Sequence, residues 1–147
     1  MGSTIYSAFK QTATRWPTHD FMMVLPETAA VYGIEATTLS YAQALLEIDR
    51  LSALYEQAGY GHGHRVGMLL ENRPVFFLHW LALNRLGVSI VPINPDLRAA
   101  ELEYLIGHSE MLLAVATPNR HADLAAAAAQ ARQPLALTTP DQTPPLA

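Results

Sequence analysis

The amino-acid sequence predicts an α/β fold: a parallel-sheet βαβ layer with flanking helices and a small N-terminal β-hairpin. The main observation is the stretch 65–94, in which two short apolar runs enclose a longer apolar segment. Residues 66–70 have the length of a strand, residues 75–86 that of a buried helix, and residues 88–93 that of a second strand. A strand, a helix and a strand within about 30 residues form a crossover that joins parallel neighbours with right-handed topology.

Length and composition predict one globular body. Half of the 147 residues are hydrophobic, which is enough for a sizeable core without disulfide support. The last residues, TTPDQTPPLA, are polar and rich in proline. We therefore predict an α/β body over residues 1–139 and a linker or disordered tail over residues 140–147.

Charge, cysteine content and apolar run length exclude several classes of protein. The formal net charge is -4 and the nine Lys and Arg residues are scattered, whereas a nucleic-acid site needs clustered positive charge. The apolar segment 75–86 is shorter than the roughly 20 residues that span a bilayer. Cysteine is absent, which suits a reducing compartment and makes the cytoplasm the expected location.

The N-terminal third predicts two helices around a hairpin. Apolar spacing predicts a first helix that stops before Pro17, and residues 21–25 and 34–39 predict two strands joined by a turn at residues 26–28. Ser40 and Gln43 form a capping-box pattern at the start of a long helix.

The C-terminal half continues the strand and helix alternation. Leu102 and Ile106 belong to the inward stripe of a helix that Gly107 is expected to end. Residues 111–116 predict a third buried strand, Pro118 opens an alanine-rich helix, and residues 135–137 predict a short fourth strand.

Three motifs receive structural interpretations. The glycines of AGYGHGH follow a helix and precede a strand, the reverse of a phosphate-binding loop, so they predict a helix-ending turn. His62 and His64 have no third metal ligand nearby, and we assign no metal site. His79 lies on the buried helix without an accompanying nucleophile and predicts a hydrogen-bonded core or boundary group.

The best candidate for a ligand site is the carboxyl edge of the parallel strands, where open α/β sheets bind ligands. Polar side chains follow three strands there: Glu71, Asn72 and Arg73, then Asn94, Asp96 and Arg98, then Asn119 and Arg120. The alternative is that these side chains only cap the helices that follow.

Five segments carry a family resemblance: Leu39-Ser40-Tyr41-Ala42, Gly63-His64-Arg65-Val66, Glu71-Asn72-Arg73-Pro74, Asn84-Arg85-Leu86-Gly87 and Val91-Pro92-Ile93-Asn94-Pro95. On these segments, and over residues 21–120 as a whole, the chain resembles the N-terminal region of AMP-forming acyl-CoA synthetases in the adenylate-forming superfamily. The resemblance implies that a carboxylic acid reacts with ATP, assisted by Mg²⁺, to give acyl-AMP and pyrophosphate. A thiol, usually that of CoA, then takes the acyl group.

The chain lacks the parts of that family that carry out the chemistry: the phosphate loop with its lysine, the ribose-binding Asp and the C-terminal catalytic lysine. The resemblance therefore implies the first part of a larger N-terminal domain, with no catalytic residue of its own, inactive in isolation and binding neither ATP, Mg²⁺ nor CoA tightly. Two alternatives remain open: a stand-alone binding or scaffolding module, and the start of an adenylation domain that loads a carrier protein. Surfaces left bare predict self-association or a homodimer.

The resemblance also implies one contact with CoA. Ile93 and Asn94 match the positions that border the passage by which CoA reaches the adenylate, and Arg98 and Arg120 match basic side chains near its phosphates. Relatives often carry a basic residue after Asn-Pro, whereas this chain has Asp96. The alternative is that both arginines are solvated residues at helix starts.

Overall fold

The computed structural model describes residues 4–71 and 73–147, which contain six α-helices and six strands. The helices are α1 (Ile5–Arg15), α2 (Pro26–Tyr32), α3 (Tyr41–Gln57), α4 (Pro74–Arg85), α5 (Ala99–Ser109) and α6 (His121–Ala131). The strands are β1 (Asp20–Val24), β2 (Thr37–Ser40), β3 (Arg65–Leu69), β4 (Ser89–Pro92), β5 (Leu113–Ala116) and β6 (Ala136–Thr138). A 3-10 turn at Pro118–Arg120 leads into α6.

Four strands form one parallel sheet in the order β4-β3-β5-β6. In its register, Val66 of β3 lies opposite Ile90 of β4 on one side and opposite Leu113 of β5 on the other. The unit predicted at residues 65–94 is confirmed as β3, α4 and β4, and the predicted fourth strand is confirmed as β6. The predicted α/β class with a parallel layer is therefore confirmed.

The sheet separates two hydrophobic cores because successive strand residues point to opposite faces. The α3/α4 core lies on one face, where α1, α3 and α4 pack; its larger buried members include Phe9, Ile48, Tyr55, Val66, Met68, Leu83 and Val115. The α5/α6 core lies on the other face; its members include Leu69, Ile93, Leu102, Ile106, Met111, Ala114 and Leu124.

The predicted N-terminal hairpin is present as an antiparallel pair, but its connection is a helix and not the predicted turn. β1 and β2 pair in antiparallel register, with α2 between them. Pro26 occupies the first turn of α2, where its missing N–H needs no partner, and Gly33 ends the helix in the left-handed region at φ 65°. A proline and a glycine at these two positions are typical of a helix start and a helix end, so the sequence does contain the signals for α2.

A second correction concerns the end of α5. Gly107 was predicted to end this helix, yet α5 continues to Ser109, and Glu110 adopts the left-handed conformation at φ 57°. A Cβ added at Gly107 would lie 3.4 Å from Cβ of Ala131. An added Cβ would thus make an ordinary van der Waals contact with α6, and Gly107 lies inside α5 and not at its end. The capping box predicted at Ser40 and Gln43 is confirmed, with both reciprocal hydrogen bonds present.

Residues 140–147, which were predicted as a linker or disordered tail, contain neither helix nor strand and lie against the α/β body. Pro144 is buried, and the Ala147 N–H donates to the Ala58 carbonyl at the end of α3 over 2.9 Å. The carbonyl of Pro140 accepts a hydrogen bond from the side chain of His79. The division of the chain at residue 139 stays a prediction.

Candidate functional site

The candidate site is the edge at which β3, β4, β5 and β6 end together. Since all four strands are parallel, the segments after them leave on the same side of the sheet. Glu71 after β3 has φ 56°, a left-handed conformation that is uncommon for residues other than glycine. Asn72, which was predicted as part of this turn, lies outside the described residues.

The turn after β4 is held by its own polar groups. Ile93 is buried in the α5/α6 core, and its N–H donates to the Met68 carbonyl over 2.9 Å. The Asn94 Oδ1 accepts from the Asp96 N–H over 2.9 Å, so this side chain closes the turn that leads to α5. Of the two residues predicted to border a passage, one is a core residue and the other a turn former.

Arg98 begins α5, and its N–H donates to the Glu101 carboxylate over 3.2 Å. Its side chain is exposed and, within residues 4–71 and 73–147, has no carboxylate closer than 4.0 Å. The guanidinium is therefore available to an anion. The backbone of Arg98 is therefore used to start α5, as the alternative interpretation expects. The side chain of Arg98 takes no part in that hydrogen bond.

Arg120 has a different environment because it joins two of the turns at the edge. Its Nη1 donates to the Pro95 carbonyl over 3.0 Å, and its Nε donates to the Asp123 carboxylate over 3.3 Å. Only 22% of the Arg120 side chain is exposed. The structure thus brings Arg120 to the turn after β4, where it already has two partners. A pocket of about 240 Å³ beside it is lined by Arg120, Asp123, Glu103 and Gln130 among residues of α5 and α6.

A larger cleft of about 880 Å³ lies between this edge and the segment that joins α2 to β2. Its walls are formed by Ile34, Glu35, Thr37, Arg73, Pro74, Val75, Thr117, Pro118, Thr139, Pro140 and Asp141. The Arg73 Nη1 donates to the Tyr32 carbonyl over 3.0 Å, and its guanidinium lies 5.0 Å from the centre of the Tyr32 ring. Residues 34–37 and 139–141 were not predicted to line this cleft, because no local sequence pattern indicates that these segments meet.

Two histidine side chains lie within hydrogen-bonding distance of backbone carbonyl groups near this edge. The buried His79 is 2.7 Å from the Tyr55 hydroxyl through Nδ1 and 2.9 Å from the Pro140 carbonyl through Nε2. Burial lowers the pKa of His79, because desolvation disfavours the imidazolium. The His121 Nε2 lies 3.0 Å from the Ala116 carbonyl and 3.2 Å from the Thr138 carbonyl, at the ends of β5 and β6. His79 is therefore the hydrogen-bonded core group that its position predicts.

Among the described residues, no group of three or more His, Asp or Glu side chains could hold a metal ion. The sequence contains no glycine-rich loop that follows a strand and opens a helix, the arrangement that binds ATP phosphates. No helix in the described part of the chain combines the length and the apolar character needed to cross a membrane.

Comparison with known proteins places this geometry in a family. The model of the AMP-binding enzyme family matches residues 9–146. A crotonobetaine/carnitine–CoA ligase of Salmonella paratyphi A is 36% identical over 76 residues, which cover 52% of this chain and 15% of the relative. A PKS-NRPS hybrid synthetase of Aspergillus niger is 27% identical over 118 residues, which cover 80% of this chain and 6% of the relative.

The fold is shared with solved structures. A putative long-chain-fatty-acid CoA ligase of Rhodopseudomonas palustris aligns with a TM-score of 0.77 at 20% identity, covering 99% of this chain and 35% of that one. This likeness shows a shared fold, and the chain spans about a third of the length of that solved protein. Since the family model matches almost the whole chain, the protein belongs to the AMP-binding enzyme family.

Proposed function

We propose that this chain is the N-terminal part of an ATP-dependent, AMP-forming acid–thiol ligase. In the complete enzyme, a carboxylate oxygen attacks the α-phosphorus of ATP, which releases pyrophosphate and forms acyl-AMP. A thiol then attacks the acyl carbon and releases AMP. The observation that carries the proposal is the family match over residues 9–146, and the CoA ligases among the relatives support it.

The chain supplies a framework to this reaction and not its reacting groups. The carboxyl edge of the sheet provides aligned turns, while the phosphate loop and the catalytic lysine that stabilise charge on the transferring group are absent from it. We therefore expect the 147-residue chain alone to catalyse no carboxylate-dependent exchange of pyrophosphate into ATP. A panel of carboxylic acids, with the complete enzyme as positive control, tests this expectation. Exchange by the purified chain would contradict it.

For the acceptor thiol we favour CoA, with Arg98 as a contact to its phosphates beside the passage bordered by Ile93 and Asn94. Support comes from the exposed Arg98 guanidinium, which has no carboxylate partner in the described part of the chain. Guanidinium groups bind phosphate oxygens through paired hydrogen bonds. Arg120 is the weaker candidate, since its donors already bind Pro95 and Asp123.

Arginine substitutions in the complete enzyme test this contact. Arg98→Ala should raise the KM for CoA about tenfold, equivalent to about 1.4 kcal/mol, and leave the adenylation half-reaction nearly unchanged. Arg120→Ala should reduce both half-reactions, because the turn after β4 loses its tie to the start of α6. Arg50→Ala, at an exposed position whose partner Glu47 lies on the same helix, is the matched control. An unchanged KM for CoA in Arg98→Ala would remove this residue from the passage.

A carrier protein is the second candidate acceptor, because one relative that covers 80% of the chain is a PKS-NRPS hybrid synthetase. Thioester formation by the complete enzyme, measured with CoA and with a thiol-bearing carrier protein in parallel, distinguishes the two. A third possibility is a non-catalytic binding or scaffolding module. Failure of the complete protein to form acyl-AMP from any acid would favour it.

Self-association is proposed for the isolated chain. Val31 is 81% exposed and Leu46 is 76% exposed, and β4 and β6 are the outer strands of the described sheet. Exposed apolar surface and unpaired strand edges both favour contact with a second molecule. Light scattering over a wide concentration range should detect dimers or larger species, and a strictly monomeric profile would contradict the proposal. A cytoplasmic location stays a prediction that rests on the absence of cysteine.

A further inference from the structure

The buried pair Tyr55 and His79 has no part in the proposed reaction and requires its own explanation. Both side chains lie within the α3/α4 core, where His79 is 3% exposed and Tyr55 is 1% exposed. A polar group in such surroundings destabilises the fold unless it is hydrogen-bonded. Both ring nitrogens of His79 have partners, one from α3 and one from the segment after β6.

The partners determine the tautomer of His79. A backbone carbonyl can only accept, so the Nε2 atom that lies 2.9 Å from the Pro140 oxygen carries the proton and donates it. In the neutral ring, Nδ1 is then an acceptor and takes the proton of the Tyr55 hydroxyl over 2.7 Å. Burial raises the pKa of Tyr55, so this hydroxyl keeps its proton and remains a donor.

Pro140 is 61 residues away from His79 in the chain and forms part of the wall of the 880 Å³ cleft together with Thr139 and Asp141. Beyond it, the chain returns to the body at the buried Pro144 and at Ala147, whose N–H binds the end of α3. The hydrogen bond from His79 to Pro140 lies just after the point where this segment leaves the sheet, and His121 contacts the Thr138 carbonyl at the end of β6 itself.

We propose that His79 is a positioning residue: as the Nε2–H tautomer held by Tyr55, it ties the segment after β6 to α3 and α4 and thereby sets one wall of the cleft. The proposal does not depend on the ligase function. It explains why a histidine occupies a position on α4 whose neighbours Leu78, Leu81 and Ala82 are all buried and apolar.

Nitrogen-15 NMR of the imidazole rings in the 147-residue chain tests the tautomer directly. The His79→Gln variant identifies the His79 signals among those of the six histidines by their loss. We expect a single Nε2–H tautomer, and Tyr55→Phe should shift the Nδ1 signal because this atom loses its donor while Nε2 keeps the Pro140 carbonyl. An Nδ1–H tautomer, or an unchanged signal in Tyr55→Phe, would overturn the proposal.

A matched pair of amide substitutions tests the tie to the segment. The glutamine amide reaches the position of Nε2 and can still donate to Pro140, whereas the shorter asparagine amide reaches only the position of Nδ1. In His79→Asn, we expect hydrogen exchange at the Ala147 N–H to accelerate about threefold to tenfold, the effect of losing one hydrogen bond. His79→Gln should restore the protection.

The Ile93 N–H, which donates to the Met68 carbonyl of β3 directly after the end of β4, serves as the internal control for overall stability. Equal acceleration at Ala147 and Ile93 in the asparagine variant would mean that His79 supports the fold as a whole, and would overturn the proposal. Identical exchange at Ala147 in the glutamine and asparagine variants would do the same. Should the asparagine variant fail to fold, the tautomer of the unsubstituted chain still decides the outcome.

Discussion

The two faces of the sheet are stabilised in different ways. The α3/α4 core contains aromatic and long aliphatic side chains, and it includes the hydrogen-bonded pair Tyr55 and His79. The α5/α6 core has no aromatic member among the described residues and contains several alanines of α6. The α3/α4 core is therefore stabilised by large side chains and a hydrogen-bonded polar pair. The α5/α6 core is stabilised by the close approach of α5, α6 and the sheet.

Two glycines lie where helices and strands of the α5/α6 core approach each other. Gly67 of β3 lies beside the side chains of Met111 and Ile93, and Gly107 of α5 lies beside Ala131 of α6. Alanine side chains fill little volume, so an alanine-rich helix packs without voids only where the neighbouring backbone comes close. Small residues at the contact allow that approach. The α5/α6 core should therefore be sensitive to atoms added at Gly67, and both cores should be sensitive to the removal of buried side chains.

The largest effect is expected from a cavity. Ile106→Ala removes a fully buried side chain of the α5/α6 core and should lower the free energy of unfolding by about 2–5 kcal/mol. Ile48→Ala, equally buried in the α3/α4 core, should fall in the same range, while Leu46→Ala at a position 76% exposed should change little. Urea unfolding of the three variants measures this. A negligible cost at Ile106 would mean that the α5/α6 core is loosely packed.

The second prediction compares a glycine that has no room for an added Cβ with one that has room. A Cβ at Gly67 would lie 2.6 Å from Met111 Sδ and 2.9 Å from Ile93 Cδ1, so Gly67→Ala should cost about 1–3 kcal/mol even as these flexible ends shift.

Gly107→Ala is its control, because the nearest atom there is Ala131 Cβ at 3.4 Å and alanine favours a helix interior by roughly 1 kcal/mol over glycine. We expect this variant to unfold within about 1 kcal/mol of the original chain. Equal costs for both substitutions would refute the distinction between the two contacts.

The third effect concerns the polar pair on the α3/α4 face. Burial lowers the pKa of His79 below its ordinary 6.5, so the unfolded chain takes up a proton at a higher pH than the folded chain. Between the two pKa values the unfolded state binds more protons, and the free energy of unfolding falls as the pH falls. The stabilisation is complete above about pH 6.5, and the slope is at most about 1.4 kcal/mol per pH unit.

The charged groups near His79 oppose one another. Burial is the largest cause and lowers the pKa of His79, the hydrogen bond to Pro140 and the carboxylates of Glu47 and Asp141 raise it, and the guanidinium of Arg50 lowers it further. Unfolding by urea at about pH 7.5 and about pH 5.5 should show a smaller loss of stability in His79→Gln than in the unsubstituted chain. Equal losses would assign the pH dependence to other groups.

The smallest effect lies at the outer side of the same face. The Tyr6 hydroxyl donates to Asp49 over 2.7 Å, and burial together with this hydrogen bond raises the pKa of Tyr6 to about 12. Arg85 also binds Asp49 over 2.9 Å, but both side chains are about 40% exposed, at 41% and 39%. Asp49→Asn should lower the pKa of Tyr6 and change stability by less than about 1 kcal/mol.

A tyrosine titration followed by carbon-13 NMR measures the Tyr6 shift. Glu47→Gln on the same helix is the control, since it breaks the pair with Arg50 without touching Tyr6. A pKa that stays at about 12 in Asp49→Asn would leave burial as its only cause.

Local sequence patterns determined a large part of this protein. The strand, helix and strand of residues 65–94 follow from apolar runs and from Pro74, and the start of α3 follows from Ser40 and Gln43. Each signal acts within a few residues, so it can be read without knowing the fold. The carboxyl edge as the candidate site follows from the same strands, because parallel strands end together.

Only the tertiary structure decided which groups meet across the chain. The Arg120 guanidinium binds Pro95, 25 residues away, and the His79 ring binds Pro140, 61 residues away. Gly107 resembles a helix end in the sequence, yet α5 continues past it to Ser109 and packs on α6. Periodicity and capping depend on neighbours in sequence, whereas these contacts depend on how helices and strands pack, and side-chain packing overrides local preference where the two differ.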